Sequence, residues 1–356
     1  MKILQIAPPW IDLPPNGYGG TEYVIYNLTE ALVKLGHEVT LFATGNSKTS
    51  ANLKYVFKKS LYDINTDWDA ALPSLLHYDQ AFKIADQFDI VHTHLSVGSD
   101  LILLKYLNDL KIPNVTTLHS HHPFDLFSKM DKYYQKYYKK RLNVINISQT
   151  MEKVTPSNFN SVGVVFNGLD LSNLRFNDKP DRYLTWLGKI VPTKGLHEAI
   201  MATLKANKIL KFGGVVDKHY KPSVQYFEEK IKPFIDDKQI IYIGPVDSLH
   251  KSDLLCNAKA FLNPINWEEP FGMVMAEAMA CGTPVISFAR GAANELVLDQ
   301  KTGYLVNTVD EMVQKIHCIE NINRADCRQH VEDKISAEAA ANKSVEVYKK
   351  IISLYR

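Results

Sequence analysis

The chain has 356 residues, more than one compact core usually holds, so two domains are expected. Its composition, 46% hydrophobic and 22% charged, is that of a soluble globular protein. A formal net charge of +2 excludes nucleic-acid binding driven by overall charge, so any role for basic residues is local. The opening "MKILQIAPPWIDLPP" holds a short apolar run broken by Pro8 and Pro9; it reads as a buried first strand and not as a signal peptide. Apolar runs nowhere reach the ~18 residues of a membrane-spanning helix. Cys256, Cys281, Cys318 and Cys327 lack C-x-x-C spacing, as expected of free thiols in a reducing cytoplasm.

In chain order, short apolar or β-branched runs alternate with longer helical patterns. Strands are expected at Ile3–Ala7, Val39–Ala43, Ile90–His94, Val115–Leu118, Val144–Ile147 and Val162–Val165. Between the first two lies "EYVIYNLTEALVKLG", in which Val24, Leu28, Ala31, Leu32 and Leu35 form one apolar stripe closed by Gly36. After the turn-rich linker "NGLDLSNLRFNDKPDR" the pattern restarts. Strands are expected at Tyr183–Leu187, Leu210–Gly213, Ile240–Ile243, Ala260–Asn263, Val285–Phe288 and Tyr304–Val306. Helices follow at Ala325–Asp333 and Ser336–Leu354.

Such alternation implies parallel sheets covered by helices on both faces. Six units on each side of the linker predict two doubly wound, Rossmann-like domains, 1–168 and 169–335, with the closing segment 336–356 packing back onto the first. Open α/β sheets bind ligands beyond the carboxyl ends of their strands. Two such domains facing each other would place the site in the cleft between them, in the loops just after strands.

The stretch "NPINWEEPFGMVMAEAMACGTPVISF" sets carboxylates into apolar runs. Pro270 disfavours helix at Glu269, so a helix from about Gly272 to Gly282 leaves Glu269 before its N-terminus and Glu277 inside it. The first amides of that helix, near Phe271, Gly272 and Met273, would form an anion site. Eight residues of helix span ~12 Å. Glycosidase carboxyl pairs lie about 5–9.5 Å apart, so nothing favours that role. Two acids accepting hydrogen bonds from sugar diols is a better use; the structural alternative is capping by Glu269 and a solvated Glu277.

"EPFGMVMAE", Glu269–Glu277, matches the E-x7-E motif of retaining glycosyltransferases of the GT-B fold, and the continuation "AMACGTPVISFARGAANELV" resembles glycosyltransferase family 4. The resemblance implies transfer of a hexose-type sugar from a UDP- or GDP-linked donor to an acceptor it does not identify, with neither metal nor other cofactor. The first domain would bind the acceptor and the second the donor.

Carried over residue by residue, the resemblance implies that Glu269 holds sugar hydroxyls with Phe271 and Gly272, and that Glu277 takes the ribose diol. The glycines of "PPNGYGGTEYVIYNL", Gly19 and Gly20, would shape the diphosphate side; the nicotinamide fingerprint is missing there, because Glu22 stands three residues after Gly19. In "WLGKIVPTKGLHEAI", Lys194-Gly195 matches the family's Lys-Gly, and Lys189 stands where the family has Arg; both cations, with Gly272 and Met273, would face the donor diphosphate. His119, at the end of "NVTTLH", would contact the sugar near the reacting carbon. Glu295, in "ARGAANELV", is a secondary candidate.

Three further features invite other readings. His92, His94, His119, His121 and His122 share two strand-end loops and could bind zinc, but no cysteine or carboxylate cluster accompanies them. "DWD", Asp67–Asp69, mimics a metal-binding Asp-x-Asp but precedes a helix. Lys129–Leu142, "KMDKYYQKYYKKRL", segregates lysines from tyrosines, which suits peripheral contact at an inner membrane face or an anionic acceptor, or a helix whose tyrosine face packs on the sheet. At the level of fold, a nucleotide-sugar epimerase, a sugar phosphorylase or a non-catalytic nucleotide-sugar-binding protein are the alternatives to a transferase.

Overall fold

The computed structural model describes residues 1–17, 19–67, 70–96, 98–120, 142–155 and 159–355. The chain divides into two compact units: Met1–Gly168 with Ala337–Arg356, and Leu169–Ser336. Trp68, Asp69, His121, His122 and residues 129–141 lie outside the described residues, so the "DWD" and lysine–tyrosine features have no structural account.

The first unit contains β1 (Lys2–Ile6), α1 (Gly20–Lys34), β2 (Glu38–Ala43), β3 (Asn52–Tyr55), α2 (Ala71–Phe82), β4 (Ile90–Leu95), α3 (Leu103–Asp109), β5 (Asn114–Leu118), β6 (Leu142–Asn146), α4 (Gln149–Val154) and β7 (Phe159–Val164). All its strands are parallel, in the order β3-β2-β1-β4-β5-β6-β7. Among the described residues seven strands replace the six expected. The addition, β3, reads Asn-Leu-Lys-Tyr and lies largely exposed at the sheet edge, so it carries no apolar run to betray it.

The stripe on α1 is buried at Val24, Leu28, Ala31 and Leu32, but Leu35 falls past the helix end and is 37% exposed. Leu28, Ala31 and Leu32 share a core with Ile3, Val39, Ile90, Val115 and Ile145 of the sheet. Ala341, Val347, Tyr348 and Ile351 of the last helix, Ala337–Leu354, complete it. The interior strands are buried on both faces, which is why they read as unbroken apolar runs.

The second unit contains β8 (Tyr183–Leu187), α5 (Leu196–Lys205), β9 (Ile209–Gly213), α6 (Lys221–Tyr226), β10 (Ile240–Tyr242), α7 (Ser248–Cys256), β11 (Ala260–Asn263), α8 (Met273–Ala280), β12 (Val285–Phe288), α9 (Ala293–Leu296), β13 (Gly303–Val306), α10 (Val309–His317) and α11 (Arg324–Lys334); the last helix of the chain is therefore α12. Its sheet is parallel throughout, in the order β10-β9-β8-β11-β12-β13. Helix α8 is buried from Met275 to Ala280, as its nearly unbroken apolar sequence requires.

Arg324, at the start of α11, is buried and serves as a staple. Its Nε donates to Asn177 O (2.6 Å), its Nη1 to Ala258 O (2.9 Å), and its Nη2 to Cys256 O (2.7 Å) and Thr283 Oγ1 (2.8 Å). Among the described residues no carboxylate hydrogen-bonds to it; carbonyl and hydroxyl oxygens take its N–H groups. Arg324→Ala would strand these acceptors and is expected to cost about 2–3 kcal/mol, read from the urea midpoint of unfolding; a change under ~0.5 kcal/mol would show that the staple is dispensable.

Candidate functional site

In both sheets the chain starts centrally, runs out to one edge, and returns to the other side of the first strand. The reversal falls between β1 and β4 in the first unit and between β8 and β11 in the second. Loops diverge above such a switch point, and a parallel sheet sends every strand's carboxyl end to the same edge. The sequence motifs lie on these loops.

In the second unit, β8 leads into the turn Pro192–Lys194, and Gly195 caps α5 in the left-handed conformation (φ 72°). A Cβ at Gly195 would lie 1.8 Å from Pro264 O, so only glycine lets the β8 loop meet the β11 loop. Asn266 N donates to Thr193 O (2.8 Å), tying the same two loops. Their closeness brings Lys194 Nζ onto Glu269 Oε2 in an ion pair with both side chains largely buried. Trp267 Nε1 donates to the same oxygen (3.0 Å), and Lys194 Nζ sits 5.0 Å from the centre of the Trp267 ring. Both contacts use Oε2, leaving Oε1 of Glu269 without a protein partner among the described residues.

The β12 loop holds Glu269 from the other side. Ala292 N donates to Glu269 O (2.9 Å) and Gly291 N to Glu268 Oε2 (2.8 Å), so the two adjacent acids are distinguished: Glu268 ties a loop and Glu269 meets a cation. At Gly291 a Cβ would lie 2.4 Å from Glu269 N. Gly272 (φ 89°) ends the loop and caps α8, with Met273 in its first turn; helix geometry leaves such first-turn amides without intrahelical acceptors. Phe271 is buried beside it.

Glu277 is inside α8 and 8% exposed, not solvated, and Lys251 of α7 pairs with its Oε1 at 2.5 Å. Lys189 does not join the Lys194–Glu269 group: its Nζ pairs with Asp217 Oδ2 (3.0 Å), and that hydrogen bond holds the Asp217 carboxyl below its ordinary range. Glu295 lies in α9, the short helix after the β12 loop.

In the first unit, Gly19 (φ 141°) precedes α1, and a Cβ there would lie 2.8 Å from Pro15 Cβ and 3.0 Å from Glu22 Oε2. Gly20 opens the helix. Burial pushes the Glu22 carboxyl up to about 7, with the charge of buried Asp100 acting in the same direction.

The strand histidines form a hydrogen-bonded string. His94 Nδ1 is 2.9 Å from His119 Nε2, and His94 Nε2 is 2.8 Å from Gln5 Oε1. His92 lies 2.7 Å from Thr117 Oγ1 through Nε2 and 2.6 Å from Tyr348 Oη through Nδ1. His92 and His94 are fully buried, whereas His119 retains 9% exposure. Burial lowers His92 and His119 to about 3 and His94 well below its ordinary value, so all three are neutral near pH 7. Among the described residues no group of three or more His, Cys, Asp or Glu side chains is arranged to hold a metal ion. Nor is any described helix long and apolar enough to cross a membrane.

Several of these residues carry no sign of their role in the sequence. Gln5 and Tyr348 sit on elements that read as core strand and closing helix, and only the strand register opposing Gln5 to His92 brings them into use. Lys251 and Gly291 carry no local signal. Trp267, next to the acids, could have been suspected as an exposed-loop aromatic.

Sequence models of two families cover the chain almost end to end: Glycosyltransferase Family 4 matches residues 18–173, and Glycosyl transferases group 1 matches residues 173–334. The chain is a family 4 glycosyltransferase. An uncharacterized glycosyltransferase of Methanocaldococcus jannaschii is 24% identical over 98% of this enzyme and 98% of its own length. Among solved structures, sucrose-phosphate synthase of Thermosynechococcus elongatus superposes with TM-score 0.75 at 19% identity, over 99% of this chain and 100% of that one. The HepE protein of Anabaena, crystallised with UDP-glucose, gives TM-score 0.68 at 16% identity, over 98% and 100%. The two parallel-sheet units are those of the GT-B fold.

Neutral histidines buried in the first unit make the enzyme's stability depend on pH. Unfolded, each titrates at 6.5; folded, His92 and His119 titrate at about 3. Between those values the unfolded chain binds more protons, so stability is full above 6.5 and falls as pH is lowered toward 3, by ~1.4 kcal/mol per pH unit per histidine. Glu22 acts oppositely, its contribution fading as pH rises from 4.5 toward 7. Urea unfolding as a function of pH should therefore show a shallower acid slope in His119→Gln, by about 1 kcal/mol per unit. An identical slope would mean that His119 is not held neutral.

Proposed function

We propose that the enzyme moves a hexose-type sugar from a UDP- or GDP-linked donor to an acceptor with retention of anomeric configuration and without a metal. The observation that carries this reading is the convergence of Lys194, Glu269 and the N-terminus of α8 on one edge of the β8–β11 switch point. A cation, a hydroxyl-binding carboxylate and first-turn amides are the groups a nucleotide-diphosphate sugar calls for. The crystallisation of HepE with UDP-glucose supports the donor class.

Lys194, with the amides of Gly272 and Met273, meets the negative charge that builds on the departing diphosphate; this is electrostatic catalysis by preorganised groups. These charges take the place a metal would fill. In the first unit, Gly19 and Gly20 leave the loop ahead of α1 open to close approach by a phosphate. Glu269, through Oε1, which has no partner among the described residues, holds sugar hydroxyls beside Phe271 and Gly272, and Glu277 takes the ribose diol. Each carboxylate already faces a lysine, Lys194 and Lys251 respectively. His119 orients the sugar. The reading assigns no enzyme nucleophile, in keeping with a front-face displacement in which the donor phosphate assists the incoming acceptor. Glu295 is a secondary contact.

Two variants test the assignment. Lys194→Ala should lower turnover of the donor by about 10²–10³-fold, the scale of losing one preorganised charge in a transition state. Glu277→Gln should weaken donor binding by roughly 10–100-fold while leaving the fold intact, as expected for a lost charge-assisted hydrogen bond. Activity should survive EDTA, and the product should keep the donor's anomeric configuration by proton NMR. Full activity in both variants, or abolition by EDTA, would refute the reading.

A further inference from the structure

The string Tyr348–Gln5–His94–His119 has a readable polarity. Its sense is set by Gln5, whose amide nitrogen only donates and whose amide oxygen only accepts. Gln5 Nε2 donates to Tyr348 Oη (3.1 Å) and lies 3.3 Å from His92 Nδ1, while Gln5 Oε1 faces His94 Nε2 at 2.8 Å. An oxygen acceptor at that distance requires the proton on His94 Nε2. A neutral His94 then has a bare Nδ1, which can only accept, so the contact at 2.9 Å requires the proton of His119 on Nε2. His119, also neutral, is left with a lone pair on Nδ1, for which the described residues supply no partner. Of the three histidines it alone keeps some exposure.

We propose that Gln5, its amide oriented by Tyr348 of α12, is a positioning residue that fixes His119 as the Nε2–H tautomer, so that His119 accepts a hydrogen bond from a ligand hydroxyl and donates none. The second half rests on the reading of His119 as a sugar contact; the first half does not. This polarity rules out His119 as a proton donor to the leaving group, because its only proton is committed inward to His94. The closing helix thereby acquires a chemical role, since the phenol of Tyr348, buried among core residues, holds the amide that sets the string. A phenol can donate or accept, so Tyr348 orients the amide by giving its one proton to His92 Nδ1 at 2.6 Å, which leaves its oxygen to accept from Gln5 Nε2; the proton of His92 is then on Nε2, toward Thr117. Turning the Gln5 amide over would reverse each proton along the string and present an N–H to the ligand instead.

The test is the nitrogen-15 spectrum of the histidine rings in the full-length, ligand-free enzyme, with the His119 signals identified by their loss in His119→Gln. The expected result is a single tautomer, with Nδ1 of His119 unprotonated and Nε2 protonated, and the same pattern for His94. In Tyr348→Phe, which removes one oxygen from the core, and in Gln5→Met, the His119 signals should shift to values averaged between the two tautomers. A protonated Nδ1 or an averaged signal in the unmodified enzyme would overturn the proposal. So would the wild-type pattern persisting in Tyr348→Phe, which decides the matter even if Gln5→Met fails to fold. Because no ligand is present, the outcome is independent of whether the enzyme uses a nucleotide sugar. A correct tautomer in an enzyme that binds no donor would leave the string standing and remove the sugar-binding role.

Discussion

Three loops of the second unit come together at the carboxylate of Glu269, and this convergence is the constraint on which its site depends. The β8 loop delivers Lys194 to Oε2, the β11 loop carries Glu269 itself with Trp267, and the β12 loop closes on its backbone. An acid mostly withdrawn from water is costly unless paired and hydrogen-bonded, so the lysine and indole are requirements of the position. Glycines make the approach achievable: a side chain at 195 or 291 would overlap backbone atoms of the neighbouring loop. Both of those side-chain contacts fall on Oε2, so Oε1 has no protein partner among the described residues.

The first unit solves a related problem with neutral groups. Histidines in the middle of a parallel sheet cannot remain charged there, and burial holds them deprotonated. Once neutral, each offers one donor and one acceptor, so a string of them must have a direction. Gln5 and Tyr348 supply it, at residues separated by 343 positions in sequence. The helix α12 therefore contributes to the interior of the first unit both apolar area, through Val347 and Ile351, and a polar group.

Much of this was legible in the sequence because parallel strands buried on both faces leave apolar runs, and because glycines and prolines mark where loops turn. The strand-to-motif relation also transferred: Lys194, His119, Glu269 and the Gly19–Gly20 loop all fall after strands. What could not be read had a physical reason in each case. An exposed edge strand such as β3 has no core-facing run. The partners of Glu277 and Glu269 depend on which loops the sheet order sets side by side, and a lysine such as Lys251 looks like any other helix lysine until α7 packs on α8. The pairing of Lys189 with Asp217 follows from β8 and β9 being neighbours, a fact of topology and not of local sequence.

The central claim is that the Lys194–Glu269 edge of the second unit receives the diphosphate and sugar of an activated donor. Its most direct test is isothermal titration of the intact enzyme with UDP-, GDP-, ADP- and dTDP-sugars, without acceptor or added metal. The account predicts saturable binding of one nucleotide series, abolished when the matching nucleoside diphosphate is already bound. Absence of binding across the whole panel would contradict it.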